Sequence, residues 1–171
     1  NDKPPGILSG VTAADTPDDN GGSISLQWQA STASDFDHYN IYIDDVEFFD
    51  VNQMEPKLDD ITSSAVVKAV LTDDAEGEPL KDGQDYWLAV AAVDEAGNLD
   101  YNVTVAGPVR PENDLLPGEL SVTFQDKPSD QGGALSVSWS QSNDEDFSRY
   151  EVYVSGSEDL LEDLNEVKLN D

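Results

Sequence analysis

Apolar and polar residues alternate along three stretches of this chain. Ile24, Leu26 and Trp28 alternate with Ser23, Ser25 and Gln27; Tyr39, Ile41 and Ile43 follow a Ser-, Thr- and Asp-rich loop; Tyr86, Leu88, Val90 and Ala92 follow Lys81-Asp82-Gly83. A period of two sends successive side chains to opposite faces of an extended strand, so these stretches predict core strands with one buried and one wet face. Weaker strand patterns run over residues 6–14, 46–51, 65–71 and 101–107. Together they make about seven short strands separated by turn residues, which suits an all-β antiparallel sandwich. The same alternation points Tyr42, Trp87 and Tyr153 outward, where aromatics contact sugar or protein or pack across strands.

The pattern repeats at a constant offset of 111 residues. Val11-Thr12 recurs as Val122-Thr123, Asp15 as Asp126, Pro17 as Pro128, Gly21-Gly22 as Gly132-Gly133 and Trp28 as Trp139. Further on, Phe36, Tyr39 and Tyr42 recur as Phe147, Tyr150 and Tyr153. The expected organisation is a complete module over residues 1–110, a short proline-limited linker over 111–117, and the first half of a second module over 118–171. Half a sandwich leaves Leu135, Val137, Trp139, Tyr150, Val152 and Val154 uncovered. Either the segment stops partway through a longer chain or another chain supplies the missing strands. Residues 155–170 also have helical spacing of Leu160, Leu161 and Leu164, which would let a short acidic helix cap the half core.

Several of these residues carry a resemblance. Pro5-Gly6 opens the first strand, Trp28 sits on the second, and Tyr39-x-Ile41-x-Ile43 forms the third. Leu80-x5-Tyr86-x-Leu88-x-Val90-x-Ala92-x-Asp94-x2-Gly97-Asn98 looks like the sixth. In this order and spacing residues 5–110 resemble a fibronectin type III domain. The resemblance implies an immunoglobulin-like sandwich with a structural core of Trp28, Tyr39, Leu80 and Tyr86, repeated by Trp139 and Tyr150. It also implies a corner at Tyr86, its hydroxyl bonding backbone near Leu80, and a turn at Gly97 into the last strand. The loop Asp15-x-Pro17-x2-Asn20-Gly21-Gly22 is similar to the longer first loop of microbial members.

Charge changes the picture next. The 171 residues hold 8 Lys and Arg against 37 Asp and Glu, a formal net charge of -29. Such a field repels phosphate backbones and anionic lipid, so nucleic acid and membrane surfaces are excluded as partners. It suits a surface kept soluble at high salt, as in a saline or marine habitat, or a reservoir of carboxylates for hard cations. Cysteine is absent and His38 is the single histidine, which leaves no nucleophile-and-base pair and no ordinary zinc site. Gly21-Gly22 and Gly132-Gly133 lack the lysine and following helix of a phosphate loop. Paired carboxylates are too abundant here for any one pair to signal glycoside hydrolysis.

Calcium is the one candidate cofactor. Asp15, Asp18, Asp19 and Asn20 share a loop, matched in part by Asp126, Asp130 and Gln131; Glu112 and Asp114 in the linker offer further oxygens, and Asp35 and Asp37 are answered by Asp144, Glu145 and Asp146. The competing reading of each group is a solvated turn, and none has the spacing of an EF-hand loop. Asn102-Val103-Thr104 is a glycosylation sequon, meaningful in a secreted protein. The chain opens at Asn1-Asp2-Lys3-Pro4-Pro5 without an initiating Met, signal peptide or membrane-spanning run, which reads as a mature or excised segment. The expected function is a non-catalytic, extracellular or cell-surface module of a large surface or filament protein, serving as spacer and protein contact. The alternative is an ancillary polysaccharide-binding or spacer module of a secreted hydrolase.

Overall fold

A computed structural model describes residues 3–144 and 146–154 of the chain. The helical spacing over 155–170 and the carboxylate of Glu145 lie outside the described residues. The chain divides into two compact units, Asn1–Leu116 and Pro117–Asp171. Among the described residues every regular element is a strand, and every pairing is antiparallel.

Unit 1 holds β1 (Thr12–Asp15), β2 (Ile24–Gln27), β3 (Phe36–Asp44), β4 (Leu58–Ile61), β5 (Lys68–Leu71), β6 (Tyr86–Asp94) and β7 (Val105–Val109). They form a three-stranded sheet in the order β1-β2-β5 and a four-stranded sheet in the order β4-β3-β6-β7. Period-two alternation decides which faces meet. Ile24 and Leu26 of β2, Leu71 of β5, Tyr39, Ile41 and Ile43 of β3, and Leu88, Val90 and Ala92 of β6 fill one core between the sheets. Ser25 and Gln27 pair with Val70 and Lys68 on the outer face of the smaller sheet. The result is a β-sandwich with its main core between two sheets.

The larger sheet is buried on its other face as well. Tyr42, Val51, Ala89 and Ala91 make a second apolar cluster, joined by Phe48, Met54, Leu99, Val103 and Val105. Tyr42, which alternation places on the wet face, is therefore buried. The segments around Val51 and Tyr101 fold across that face, tied by Val51 N–H donating to the Tyr101 carbonyl at 2.9 Å and by a bridge between Asp50 and Asn102. Alanines at 89 and 91 leave the depth that these segments occupy. Tyr153 is exposed and Trp87 half-buried.

The weaker strand patterns settle differently. The strand expected over 6–14 begins only at Thr12 and runs to Asp15; that of 65–71 is Lys68–Leu71, and that of 101–107 moves to Val105–Val109. Residues 46–51 are a loop whose ends are shaped by Asp44 and Asp50, each accepting the backbone N–H two residues on, from Val46 and Asn52. The strand that pairs with β3 at this edge is instead Leu58–Ile61, set by Tyr39↔Ile61 and Ile41↔Leu58. On β7, a Cβ at Gly107 would stand 2.8 Å from both the Tyr86 carbonyl oxygen and Trp87 Cδ1, and its φ is +151°. Glycine is what allows the strand irregularity there.

Unit 2 contains β8 (Val122–Asp126) and β9 (Leu135–Trp139), paired from Val122↔Trp139 to Asp126↔Leu135. Its aromatic contacts reproduce those of unit 1. Trp28–Tyr39 and Trp139–Tyr150 both lie edge-on at 5.4 Å between ring centroids, and Phe36–Tyr39 and Phe147–Tyr150 both at 4.6 Å. The repeat read in the sequence is thus a repeat of packing. Burial separates the two copies: Ile24 and Leu26 are fully buried, whereas their counterparts Leu135 and Val137 are 64% and 37% exposed.

Candidate functional site

Carboxylates gather at one end of unit 1, where the β1–β2 loop, the residues before β6 and the segment after β7 come together. Positive φ at Asp18, Gly21 and Gly22 turns the β1–β2 loop so that backbone N–H groups face inward. Asp19 answers them: one carboxylate oxygen accepts Gly21 N–H at 2.7 Å and the other the Ser23 hydroxyl. Asp82 accepts Gly22 N–H at 2.7 Å. A Cβ on Gly21 would stand 2.3 Å from the Asp82 oxygens, so the carboxylate approaches only because this residue is glycine.

Residues 111–115 are fastened to the same end. Glu112 N–H donates to Asp15 at 2.8 Å, Asp19 N–H to Asp114 at 3.1 Å, and Leu115 N–H to the Asp19 carbonyl at 2.9 Å. Asn20 and Asn113 form a bridge, and Gly83 N–H donates to the carbonyl of Pro111 at 2.9 Å. Pro111 itself is fully buried. The stretch expected as a linker thus lies along unit 1.

Of the candidate calcium ligands, Asp15, Asp19 and Asp114 meet at this end, and each carboxylate accepts a backbone N–H. Asn20 joins them through its backbone, and Glu112 through its N–H. Asp18 supplies a left-handed turn position, and the exposed Asp126 closes β8. Asp130 accepts Gly132 N–H at 2.8 Å, the same bond that Asp19 makes to Gly21 at an offset of 111 residues. Among the described residues no three His, Cys, Asp or Glu side chains gather as they would around a metal ion. The chemistry of the cluster is acceptor chemistry toward amides: ionised oxygens fixing turns of high glycine content. For Asp19 and Asp130 the signal in the sequence was a Gly two residues on, in Asp19-x-Gly21 and Asp130-x-Gly132.

Of the structural candidates, Trp28, Tyr39, Leu80 and Tyr86 are buried in unit 1, whereas Trp139 and Tyr150 of unit 2 are half-buried. Tyr86 Oη accepts Lys81 N–H at 3.1 Å, beside buried Leu80. Tyr39 Oη accepts Ser31 N–H at 2.7 Å and donates to the Ser64 carbonyl at 3.1 Å. In unit 2 Tyr150 Oη accepts Ser142 N–H at 2.7 Å. Asp94, buried at the end of β6, accepts the N–H groups of Ala96 and Asn98 and the Asn98 amide. The Asn98 side-chain and backbone donors hold its pKa below the usual carboxylate value. Burial pushes the Tyr42 phenol above its ordinary value, against the hydrogen bond from Asn40. Sequence reasoning missed the Asn40–Tyr42 pair because it placed Tyr42 on the solvent side.

Elsewhere, His38 is hydrogen-bonded to neighbouring Asp37 at 2.7 Å. Asn102 is exposed, its amide donating to Asp100 at 3.0 Å, and Thr104 Oγ1 donates to the Leu8 carbonyl. No helix among the described residues is long and apolar enough to cross a membrane.

No family model matches the chain, and no curated protein does. Solved structures give partial likenesses. The Clostridium perfringens spore cortex lytic enzyme SleM is 20% identical over 60% of this chain and 27% of its own, with a TM-score of 0.43. A β-1,2-glucanase from Parabacteroides distasonis is 17% identical over 64% of this chain and 13% of its own, with a TM-score of 0.36. The chain spans well under half the length of either, and likeness of this degree carries no inference about its activity.

Proposed function

We propose that the chain is a non-catalytic, extracellular stretch of fibronectin type III-like modules from a microbial surface or filament protein, acting as spacer and protein contact. The observation that carries this reading is the docking of residues 111–115 on the β1–β2 loop. A spacer must hold its exit strand in a fixed direction, and here the exit is bonded through Glu112, Asp114 and Leu115 to Asp15 and Asp19. The sheet orders β1-β2-β5 and β4-β3-β6-β7, and the Tyr86 hydroxyl at Lys81 N–H, support the fibronectin type III likeness. A formal charge of -29 keeps such a surface apart from its neighbours and soluble in salt.

Backbone 15N relaxation tests the reading. Residues 112–115 are expected to have order parameters equal to those of β3 and β6; nanosecond mobility there would remove the basis for a stiff exit. The second reading, a polysaccharide-binding accessory to a hydrolase, is favoured by Phe49 and Tyr101, which are 77% and 53% exposed on the segments covering the larger sheet. It requires retention on an insoluble polysaccharide that Phe49→Ala and Tyr101→Ala abolish.

A further inference from the structure

Of the asparagines in this chain, Asn20 is the one that precedes a glycine. Glycine has no Cβ to shield its backbone nitrogen, so that nitrogen can approach the side-chain carbonyl carbon of the residue before it. At the matching place in unit 2, 111 residues on, the pair is Gln131-Gly132, and the extra methylene of glutamine makes the equivalent ring larger and slower to close. Asn20 is exposed, and among the described residues no hydrogen bond holds its side-chain amide. Its backbone is in use: it forms the bridge to Asn113, and the adjacent Asp19 carbonyl accepts Leu115 N–H at 2.9 Å. Gly21 and Gly22, at φ of +82° and +69°, give this loop the freedom to open locally at the bridge, which lets the Asn20 side chain swing onto Gly21 N.

We propose that Asn20 is a site of spontaneous deamidation, and that its isoaspartate product unfastens residues 111–115 from the β1–β2 loop. In the first step Gly21 N gives up its proton, for which the Asp19 carboxylate at 2.7 Å is a ready acceptor, and bonds to Asn20 Cγ. The Cγ–Nδ2 bond breaks, and that nitrogen leaves as ammonia with the proton. Water then opens the cyclic imide at either carbonyl. Opening at Cγ leaves aspartate; opening at the main-chain carbonyl carbon of residue 20 leaves isoaspartate, with the chain running through Cβ. The net reaction consumes one water and releases one ammonia, with no oxidant or reductant. Either product sets a new negative charge beside Asp15, Asp19, Asp82 and Asp114, but only isoaspartate adds a methylene to the main chain. That insertion misaligns the bridge to Asn113 and the bonds that join Asp19 to Asp114 and Leu115. The reaction does not depend on the spacer reading.

The test ages the 171-residue protein in mildly alkaline buffer at body temperature. Peptides are mapped for the mass gained when NH is replaced by O, and isoaspartate is scored by enzymatic methyl transfer. Conversion at Asn20 should run about tenfold faster than at Asn52 and Asn102, which are also exposed but precede Gln53 and Val103. Asn20→Gln, which copies unit 2, should abolish it. In the aged protein the amide hydrogens of Glu112 and Leu115 should exchange about tenfold faster than in fresh protein. Fresh Asn20→Asp, which carries the charge without the methylene, should keep the slower rate. Conversion at Asn52 or Asn102 that matches Asn20, or an Asn20 that persists unchanged, overturns the site. Unaltered exchange at Glu112 and Leu115 after conversion, or fast exchange in fresh Asn20→Asp, overturns the release by isoaspartate.

Discussion

Removing the Asp19 carboxylate separates a turn-building role from a metal-binding one. In Asp19→Ala the Gly21 N–H, held at 2.7 Å, and the buried Ser23 hydroxyl lose their acceptor together. Hydrogen bonds to a charged group contribute about 1.5–3 kcal/mol each. Partial exposure of the loop and relief of repulsion from nearby Asp82 and Asp114 reduce the sum, leaving a net loss of about 2–3 kcal/mol. A domain of this size loses roughly 4 °C of melting temperature per kcal/mol, so the unit 1 transition should fall by about 8–12 °C. The assay is thermal and urea unfolding of wild type and variant, each in EDTA and in millimolar calcium. The same loss is expected in both buffers. A loss confined to the calcium buffer would mean that Asp19 acts as a ligand, and a loss below about 0.5 kcal/mol in EDTA would refute the hydrogen-bond argument itself.

Other expectations follow from the same geometry. Tyr39→Phe strips the acceptor from Ser31 N–H and the donor from the Ser64 carbonyl and should cost about 2 kcal/mol in urea unfolding; Tyr150→Phe, which frees Ser142 N–H, should cost about 1 kcal/mol. Gly21→Ala and Gly77→Ala both place a side chain at positive φ, but only the first meets the Asp82 oxygens. It should therefore cost about 2 kcal/mol or more against about 1 for Gly77, and equal losses would contradict the close approach. Because the Asp94 pKa is lowered on folding, its contribution is present above the unfolded carboxylate value of about 3.9 and fades as pH falls through the folded value. Asp94→Asn should accordingly flatten the acid limb of a stability-versus-pH curve below about pH 4. Raising salt from low concentration to molar levels should raise the melting temperature, by screening a formal charge of -29; a flat response would argue against self-repulsion as a cost of folding.

Core positions were legible because burial on one face imposes a period of two that neighbouring residues cannot disguise: Ile24, Leu26, Tyr39, Ile41 and Leu88 stand where the alternation puts them. The recurrence of Trp28, Phe36 and Tyr39 111 residues later was legible, but the ring contacts that recur with them were not. Tyr42 was misplaced because the segments covering it come from residues 48–54 and 99–105, and local alternation says nothing of remote cover. Strand β4 reads Leu-Asp-Asp-Ile, two carboxylates at its centre, and only its pairing with Tyr39 and Ile41 makes it a strand. At the acidic end the sequence shows the carboxylates but not the inward amides of Gly21 and Gly22, which decide what Asp19 and Asp82 do. Asp114 and Glu112 read as linker residues because nothing in their own neighbourhood records the loop almost a hundred positions earlier that receives them.

The second apolar layer outside the larger sheet also changes what kind of sequence drift unit 1 can absorb. Surface connections are ordinarily where a sandwich accepts insertions and grafted peptides. Here the connection through Val51 and Met54 is interior on one side, its depth gauged by the alanines at 89 and 91. Lengthening it, or enlarging either alanine, would lift a lid from a core rather than decorate a surface. A more permissive place is the turn around Gly77, which faces open space, so a library or an affinity tag inserted there with Gly77 itself kept should leave the fold intact.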